Sequence, residues 1–216
     1  MTRHLLFVTA YDPATTANLK MAFRFPKHQD HRLLGKKASR DNLLNAIATI
    51  NPQAIFMMSH GQLHVIRDNS DGAALSVSDT QIMNGRTVFA WACWTGSQLG
   101  YVLSNAGANW WGYDCAVTAP DERPKYARIQ ANFFKLGKRL FDTAKRPQDV
   151  PAILESLKQE CSKVLASLDQ AGAANDLEAF SIYSTCNQFW ERLLVWHSHT
   201  NVPIRHPVAP PPYISI

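Results

Sequence analysis

Long apolar runs are absent from this sequence. No apolar stretch reaches the roughly 20 residues that a helix needs to cross a bilayer. Residues 1–6 lead directly into a strand-like segment, without the apolar core or the small-residue cleavage site of a signal peptide. These two absences predict a protein that does not enter a membrane, and we expect it in the cytoplasm.

Cysteine is scarce and widely spaced. The chain has four cysteines, at Cys93, Cys115, Cys161 and Cys186. None of them forms a Cys-x-x-Cys motif or pairs with a histidine at the spacing of a zinc site. The spacing therefore argues against disulfides and structural zinc.

Charge is also low. Asp, Glu, Lys and Arg make up only 18% of the 216 residues, whereas 46% of the residues are hydrophobic. So much apolar side chain with so little charge excludes a mainly disordered chain. A mass of 24.2 kDa fits one domain with one or two appendages, so the sequence predicts one folded domain with one site.

Basic residues are in modest excess. The 22 Lys and Arg residues outnumber the 17 Asp and Glu residues, which gives a net charge of +5 and permits contact with nucleic acid without demanding it. The densest basic cluster consists of His28, His31, Arg32, Lys36, Lys37 and Arg40. A solvated loop and helix start explains this cluster as well as a phosphate-binding track does, so we expect no nucleic-acid partner.

Short apolar runs alternate with segments of helical periodicity. The apolar runs predict buried strands at residues 4–10, 54–59, 87–93 and 108–114. Apolar residues at spacings of three and four predict helices at residues 13–23, 39–50, 97–104, 126–140 and 154–168. This alternation is typical of a parallel sheet, so we predict a three-layer α/β/α fold with a mainly parallel, six-stranded sheet.

Three further segments interrupt or follow this alternation. Residues 63–77 have the character of a hairpin around the turn at 68–72. Residues 177–184 fit either a last strand or the start of a helix that continues to Trp196. Residues 207–212 are rich in proline and predict an extended surface segment.

Two of the predicted strands end in residues that can do chemistry. Residues 59–61 (Ser-His-Gly) close one strand and residues 92–96 (Ala-Cys-Trp-Thr-Gly) close the next buried strand. The carboxyl ends of parallel strands meet at one edge of the sheet, so we expect His60 beside Cys93. A cysteine beside a histidine is a nucleophile beside a general base, and the imidazole can later protonate a leaving amine.

Gly61 completes this candidate site. Acyl transfer needs backbone N–H groups that face the developing oxyanion, and a residue without Cβ lets a substrate carbonyl approach its main chain. The sequence therefore predicts an oxyanion hole from the backbone N–H groups of Gly61 and Cys93.

These motifs resemble those of the caspase-like cysteine peptidases of the CHAT and separase type, a group that also includes caspases, metacaspases, gingipains and clostripain. Residues 59–61 are similar to the family's strand-terminal Ser-His-Gly, and residues 92–96 to its Ala-Cys-x-Thr-Gly. Further agreement comes from Ser104–Ala108 with Trp111 and Gly112, and from Phe133–Gly137. The resemblance extends from Leu5 to Ser184, and it puts the family's last strand at residues 177–184.

The resemblance implies hydrolysis of peptide bonds in a protein substrate through a thioester acyl-enzyme, with Cys93 and His60 as the catalytic pair. It implies a peptidase domain at residues 1–184, with residues 185–216 forming a C-terminal helix and proline-rich tail on the same domain. No metal or organic cofactor is implied. Control by a separate regulatory protein is a further hypothesis.

Substrate preference is predicted from two acidic residues. Metacaspases and paracaspases carry an acid two residues before the nucleophile, whereas this chain has Trp91 there. Family members with a basic preference also place acids at positions comparable to Asp12 and Asp114, so the resemblance implies cleavage after Arg or Lys. Asp12 could equally cap the following helix, and Asp114 could pair with a surface Arg or Lys.

Two other functions remain open at this stage. The fold could serve a catalytically inactive scaffold or adaptor that binds a protein partner, because fold does not fix function. The basic balance leaves a nucleic-acid-binding module as the second alternative.

Overall fold

The computed structural model describes residues 4–26, 30–143 and 146–213. These residues form nine strands: β1 His4–Val8, β2 Asp30–Leu34, β3 Ala54–Met58, β4 Gly61–Gln62, β5 Val65–Arg67, β6 Ala73–Ser76, β7 Thr87–Trp91, β8 Asn109–Tyr113 and β9 Leu193–Trp196. The same residues form seven α-helices: α1 Pro13–Ala22, α2 Arg40–Ile50, α3 Thr80–Met83, α4 Gln98–Asn105, α5 Pro124–Thr143, α6 Val150–Gln170 and α7 Phe180–Glu191.

The main sheet has six strands in the order β2-β1-β3-β7-β8-β9. All neighbouring pairs are parallel except β8 and β9, which are antiparallel. Strands β4, β5 and β6 form a separate antiparallel sheet, which contains the predicted hairpin. The predicted α/β fold with a mainly parallel, six-stranded sheet is therefore confirmed.

Helices cover the main sheet on both faces because successive strand residues point to opposite sides. Leu6 and Val8 of β1 pack in one apolar cluster, which contains residues of α1, α5, α6 and α7. Leu5 and Phe7 pack in a second cluster, which contains residues of α2, α3, α4 and the small sheet. Two apolar layers around one central sheet give the three-layer arrangement. No helix in the described parts of the chain is long and apolar enough to cross a membrane.

The pairing register brings three strand ends to the same level. Val8 of β1 lies opposite Met58 of β3, and Met58 lies opposite Trp91 of β7. We call this side of the sheet the carboxyl edge. Residues that directly follow β1, β3 and β7 therefore lie near one another in space.

The strand β2 at Asp30–Leu34 was not predicted. The basic cluster that includes His31 and Arg32 predicts a solvated loop and helix start here rather than a strand. The structure explains the composition: β2 is the edge strand of the sheet, where polar and charged residues are common. His28, which belongs to the same basic cluster, lies outside the described residues.

The last strand is not at residues 177–184, so the prediction taken from the family resemblance is wrong. These residues form a short 3-10 helix at Leu177–Ala179 and the start of α7, whose buried residues Ile182, Thr185, Cys186 and Phe189 follow helical spacing. The helix ends earlier than Trp196, and β9 at Leu193–Trp196 provides the last strand. The predicted boundary after residue 184, between the peptidase domain and the C-terminal segment, therefore falls inside α7.

Candidate active site

The candidate nucleophile and base follow neighbouring parallel strands. His60 comes two residues after Met58, the last residue of β3, and Cys93 comes two residues after Trp91, the last residue of β7. The pairing continues one residue past β3, because the backbone N–H of Ser59 donates to the carbonyl of Trp91 over 3.3 Å. Both segments therefore leave the sheet side by side at the carboxyl edge.

Gly61 packs directly against the turn that carries Cys93. A Cβ atom at Gly61 would lie 2.7 Å from the carbonyl oxygen of Cys93 and 2.6 Å from Cγ2 of Thr95. Real Cβ atoms do not approach other atoms so closely, so only glycine fits here. The absence of a side chain at position 61 is what allows the backbones after β3 and β7 to touch.

The Cys93 thiol is partly buried. Its Sγ lies 3.9 Å from the carbonyl oxygen of Val117. Burial raises the pKa of the Cys93 thiol, while backbone hydrogen bonds, including one from Gly61, act in the opposite direction. Burial outweighs these hydrogen bonds, so the neutral thiol is favoured at rest.

The turn after Cys93 has a left-handed residue at its centre. Trp94 has a φ of 61°, a conformation that costs a bulky residue roughly 1–2 kcal/mol. Two backbone hydrogen bonds hold the turn against the end of β8 and the segment after it: Gly96 N–H donates to the carbonyl of Tyr113 over 2.8 Å, and Trp94 N–H donates to the carbonyl of Cys115 over 2.9 Å. The surrounding structure thus fixes the position of the thiol.

Asp12 touches both the candidate base and the first helix. Its Oδ2 lies 2.5 Å from Nε2 of His60, and its Oδ1 accepts the backbone N–H of Thr15 over 2.8 Å. Burial raises the pKa of the Asp12 carboxyl, but hydrogen bonds from Thr15 and His60 outweigh that effect and the pKa is lowered. The carboxylate therefore stays charged and serves two partners at once.

Helix capping by Asp12 was one of the two roles considered from the sequence, and the structure confirms that role. The contact with His60 was not foreseen. The available signal was the order of the strands: Asp12 follows β1, which is the neighbour of β3.

Contacts to both the backbone and the ring of His60 hold it in place. The His60 carbonyl accepts the backbone N–H of Arg67 over 2.9 Å. The ring of Tyr11 packs edge-on against the imidazole, with 5.7 Å between the ring centroids. The Tyr11 hydroxyl in turn donates to Oδ1 of Asp71 over 3.0 Å, so the hairpin loop and the end of β1 together position the imidazole.

Asp114, the second acid predicted to bind substrate, is buried at 1% exposure. Its Oδ2 accepts the backbone N–H of Tyr213 over 3.1 Å and lies 3.8 Å from a guanidinium nitrogen of Arg192. Burial raises the pKa of the Asp114 carboxyl. Pairing with a cation was one of the sequence alternatives, and it occurs beneath the C-terminal tail rather than on an open surface.

A cavity of about 650 Å³ opens beside the Cys93 turn. Trp94 and Cys115 line one side of it, α7 lines the other through residues such as Tyr183 and Glu191, and Tyr213 lies at its rim. Of the tryptophans near the nucleophile in sequence, Trp94 alone borders this cavity, whereas Trp91, Trp110 and Trp111 are buried in the core.

The opposite edge of the sheet holds a second group of titratable residues. One ligand atom each of His4, Asp30 and Asp142 lies within 4.8 Å of the others, a spacing that could hold a metal ion. The ammonium group of Lys138 already lies 3.0 Å from Asp30 and 2.7 Å from Asp142. Lysine thus supplies the positive charge between the two carboxylates. This cluster was not predicted because Asp30 belongs to the unforeseen strand β2.

The chain was compared with protein-family models, and none of them matches it. A search of curated proteins also finds no match. The functional interpretation of His60, Gly61 and Cys93 therefore rests on the chain's own residues and their geometry.

Proposed function

We propose that this chain is a cysteine endopeptidase that hydrolyses a protein substrate with Cys93 and His60, in the manner of the caspase-like peptidases of CHAT type. One observation carries the proposal: two adjacent parallel strands end level with each other, and the glycine after His60 packs on the Cys93 turn. His60 and Cys93 are also only partly buried at this edge, as groups that must meet a substrate need to be.

In the first half of the reaction, the Cys93 sulfur attacks the carbonyl carbon of the scissile peptide while His60 accepts the thiol proton. The carbonyl oxygen becomes an oxyanion, which the backbone N–H groups of Gly61 and Cys93 stabilise. Collapse of this intermediate breaks the C–N bond, and the imidazolium of His60 gives its proton to the departing amine. The product is a thioester on Cys93.

In the second half, His60 takes a proton from a water molecule as that water attacks the thioester carbonyl. The oxyanion forms again at Gly61 and Cys93. Its collapse breaks the C–S bond, and the sulfur recovers the proton from His60 as the carboxylic acid product leaves. Every proton is returned, so the cycle needs only substrate and water.

Asp12 enters this mechanism as a positioning residue. The Nε2–H group of His60 donates to Asp12, so the proton-accepting nitrogen must be Nδ1. A carboxylate in this position fixes the tautomer and the ring orientation and stabilises the imidazolium that forms during attack. Thr15 holds the other oxygen of the same carboxylate, which limits its rotation.

We further propose that the enzyme cleaves after Arg or Lys. The supporting features are the acids Asp12 and Asp114, which follow β1 and β8. Asp12 is engaged by His60 and Asp114 is buried beside Arg192, so a basic side chain of the substrate would have to replace one of these partners. We also propose action in the cytosol, for which the four free thiols offer support, since reducing compartments keep cysteines unpaired.

Peptide-library cleavage by the purified chain tests the proposal. We expect cleavage after basic residues by the wild type and none by Cys93→Ala, with Cys115→Ala as a matched control that keeps activity. A thiol-reactive probe should label Cys93, and its labelling should fall in His60→Ala.

The alternatives give different results in the same experiments. An inactive scaffold would cleave nothing, and its Cys93 labelling would not depend on His60. A nucleic-acid-binding module would be retained on a polyanion column with a steep dependence on salt.

A further inference from the structure

The outward face of α7 forms one wall of the 650 Å³ cavity described above. The buried residues of α7 pack on the core, so the opposite face of the helix points away from the sheet. Residues on that outward face recur at spacings of three and four, and six of them line the cavity: Phe180, Tyr183, Ser184, Asn187, Gln188 and Glu191. We call the cavity along this helix face the α7 groove.

The other wall of the α7 groove comes from the segments after β7 and β8, with Trp94 and Tyr213 as its aromatic members. Among the described residues, those that line the groove do not include His60, Gly61 or Cys93. The groove is therefore a feature of its own, and whatever binds there does not need to reach the candidate catalytic residues.

The end of the groove where α7 begins is apolar and open to solvent. Phe180 lines the groove and is 83% exposed, and Leu177, one turn earlier in the chain, is completely exposed. The described residues include six large apolar side chains that are exposed, and Leu177, Phe180 and Tyr213 are three of these six. A concentration of exposed apolar side chains at one place is typical of a surface that binds another protein.

The other end of the groove carries an acid without a partner. Glu191 lines the groove and makes no hydrogen bond or ion pair with a described residue. The guanidinium of Arg192, its neighbour, lies 3.8 Å from Asp114 and 3.7 Å from the ring centroid of Tyr213, so it is already engaged. Burial raises the pKa of the Glu191 carboxyl, because the lost hydration outweighs the charge of Arg192. A basic side chain from another polypeptide would supply the missing positive charge.

The length of the helix sets the distance between these two ends. Phe180 and Glu191 are the first and last residues of α7, so a rise of 1.5 Å per residue places them about 16 Å apart along the axis. A bound helix of that length, about 10 Å across, would fill roughly 1,250 Å³, about twice the volume of the cavity. An extended segment fits better, and at about 3.3 Å per residue it spans the same distance in about five residues.

We propose that the α7 groove binds an extended segment of a protein partner, which carries a large apolar side chain and a basic side chain about five residues apart. The apolar side chain packs against Phe180 and Leu177, and the basic side chain pairs with Glu191. This surface recognises a partner by two features at a fixed distance, and it does so whether or not the chain is a peptidase.

Fluorescence anisotropy of labelled peptides tests the proposal. The protein is the full chain with Cys93→Ala, which cannot cleave the probe. Each peptide has one Phe and one Arg, two, five or eight residues apart in a Gly-Ser background, and each spacing is made in both orders. In one of the two orders, we expect the five-residue spacing to bind about fivefold more tightly than the others, because it alone reaches both ends of the groove and adds a surface ion pair.

Variants at the two ends of the groove separate the two contacts. Glu191→Gln should weaken binding of the best peptide about fivefold, and it should not affect a peptide in which citrulline, the neutral analogue of arginine, replaces Arg. Phe180→Ala should weaken binding about tenfold through the loss of apolar contact. Phe180 is mostly exposed, so this variant should keep the fold.

Two control variants make the same chemical changes away from the groove. Glu178→Gln removes a carboxylate that lies 4.0 Å from Arg123 and does not line the groove. Phe23→Ala removes an exposed aromatic ring at the end of α1. Both variants should leave the Kd of the best peptide unchanged.

Equal affinity at all three spacings overturns the proposal, as does a loss in the control variants that matches the loss in the groove variants. Failure of every peptide to bind at about 1 mM also overturns it. Dimerisation of the chain that Phe180→Ala abolishes would assign the groove to a second copy of this chain instead of a different partner. These measurements contain no cleavage step, so a chain that binds the peptides and cleaves nothing refutes only the peptidase function.

Discussion

Nε2 of His60 lies 2.5 Å from Oδ2 of Asp12, whose other oxygen accepts the backbone N–H of Thr15 at the start of α1. One carboxylate thus links the first helix of the fold to the imidazole at the end of β3. This link makes the orientation of the candidate base depend on a helix cap, and the two roles can be separated by mutation.

Asp12→Asn is expected to separate them. Asparagine caps helices as well as aspartate does, so the free energy of unfolding should change by less than about 1 kcal/mol. The amide can donate to Nε2 and favour the wrong tautomer of His60, so kcat should fall on the order of 10²-fold. Peptide cleavage measures the rate, and ¹⁵N NMR of the imidazole in a Cys93→Ala background shows which nitrogen carries the proton.

The matched control is Thr15→Val, which removes the hydroxyl that donates to Oδ1 of Asp12 over 2.7 Å and keeps both the backbone N–H and the carboxylate. It should cost about 1 kcal/mol of stability and leave the tautomer unchanged. An Asp12→Asn variant with wild-type kcat and tautomer would contradict the positioning role.

Gly61→Ala is expected to disrupt the site through sterics alone. The new Cβ would meet the Cys93 carbonyl and the Thr95 methyl group at distances under 3 Å. We expect a loss of about 1–3 kcal/mol of stability, measured by urea denaturation, together with loss of peptidase activity. Gly72→Ala is the control, because its nearest neighbour would lie at an ordinary 3.4 Å, and it should keep stability and activity.

Alkylation of Cys93 should have a pH midpoint above the ordinary thiol value of 9.0, because burial raises the pKa of this thiol. A raised pKa means that the folded state holds the proton more tightly than the unfolded state. The resulting stability is full below the unfolded-state pKa and is lost as pH rises through the folded-state pKa. Iodoacetamide rates across pH, in buffer and in urea, provide the measurement. A midpoint that is lower in the folded protein would instead indicate a thiolate already formed at rest.

Lys138→Met should destabilise the protein without affecting the candidate site. The lysine is 6% exposed and lies between Asp30 and Asp142 at the far edge of the sheet, so its loss leaves these largely buried carboxylates with only His4 and the more distant Arg32 as basic neighbours. Breaking such a pair costs about 3–5 kcal/mol, which urea denaturation would detect. Lys138→Arg keeps the charge and should cost less. The rate at which a small maleimide labels Cys93, measured where each variant is folded, should not change.

Prediction from sequence succeeded where short apolar runs set the structure. Strands β1, β3, β7 and β8 are continuous apolar segments, and their parallel arrangement was enough to predict His60 and Cys93 at one edge. The sequence also predicts that Gly61 leaves room for a substrate carbonyl, whereas in the structure the Cys93 carbonyl and the Thr95 methyl group fill the place of its missing side chain.

The rest depended on contacts that periodicity does not encode. Strand β2 carries the polar residues of a sheet edge, so it does not differ in pattern from a loop. For the residues after 177, the local sequence fits both helix and strand, and only the long-range packing of α7 and β9 decides which segment forms which. Asp12 contacts His60 and Asp114 contacts Tyr213, and these partners lie 48 and 99 residues apart along the chain. Local sequence patterns do not predict contacts over such separations.

The reversal of direction at β9 has a practical consequence for handling this protein. Strand β1 begins with His4 at the edge opposite Cys93, while the ring of Tyr213 lies 6.4 Å from that of Trp94, the residue after Cys93. A bulky group attached shortly after Tyr213 would therefore crowd the turn that carries the candidate nucleophile, and the resulting change could be mistaken for a property of the protein itself. Purification tags are better placed ahead of β1.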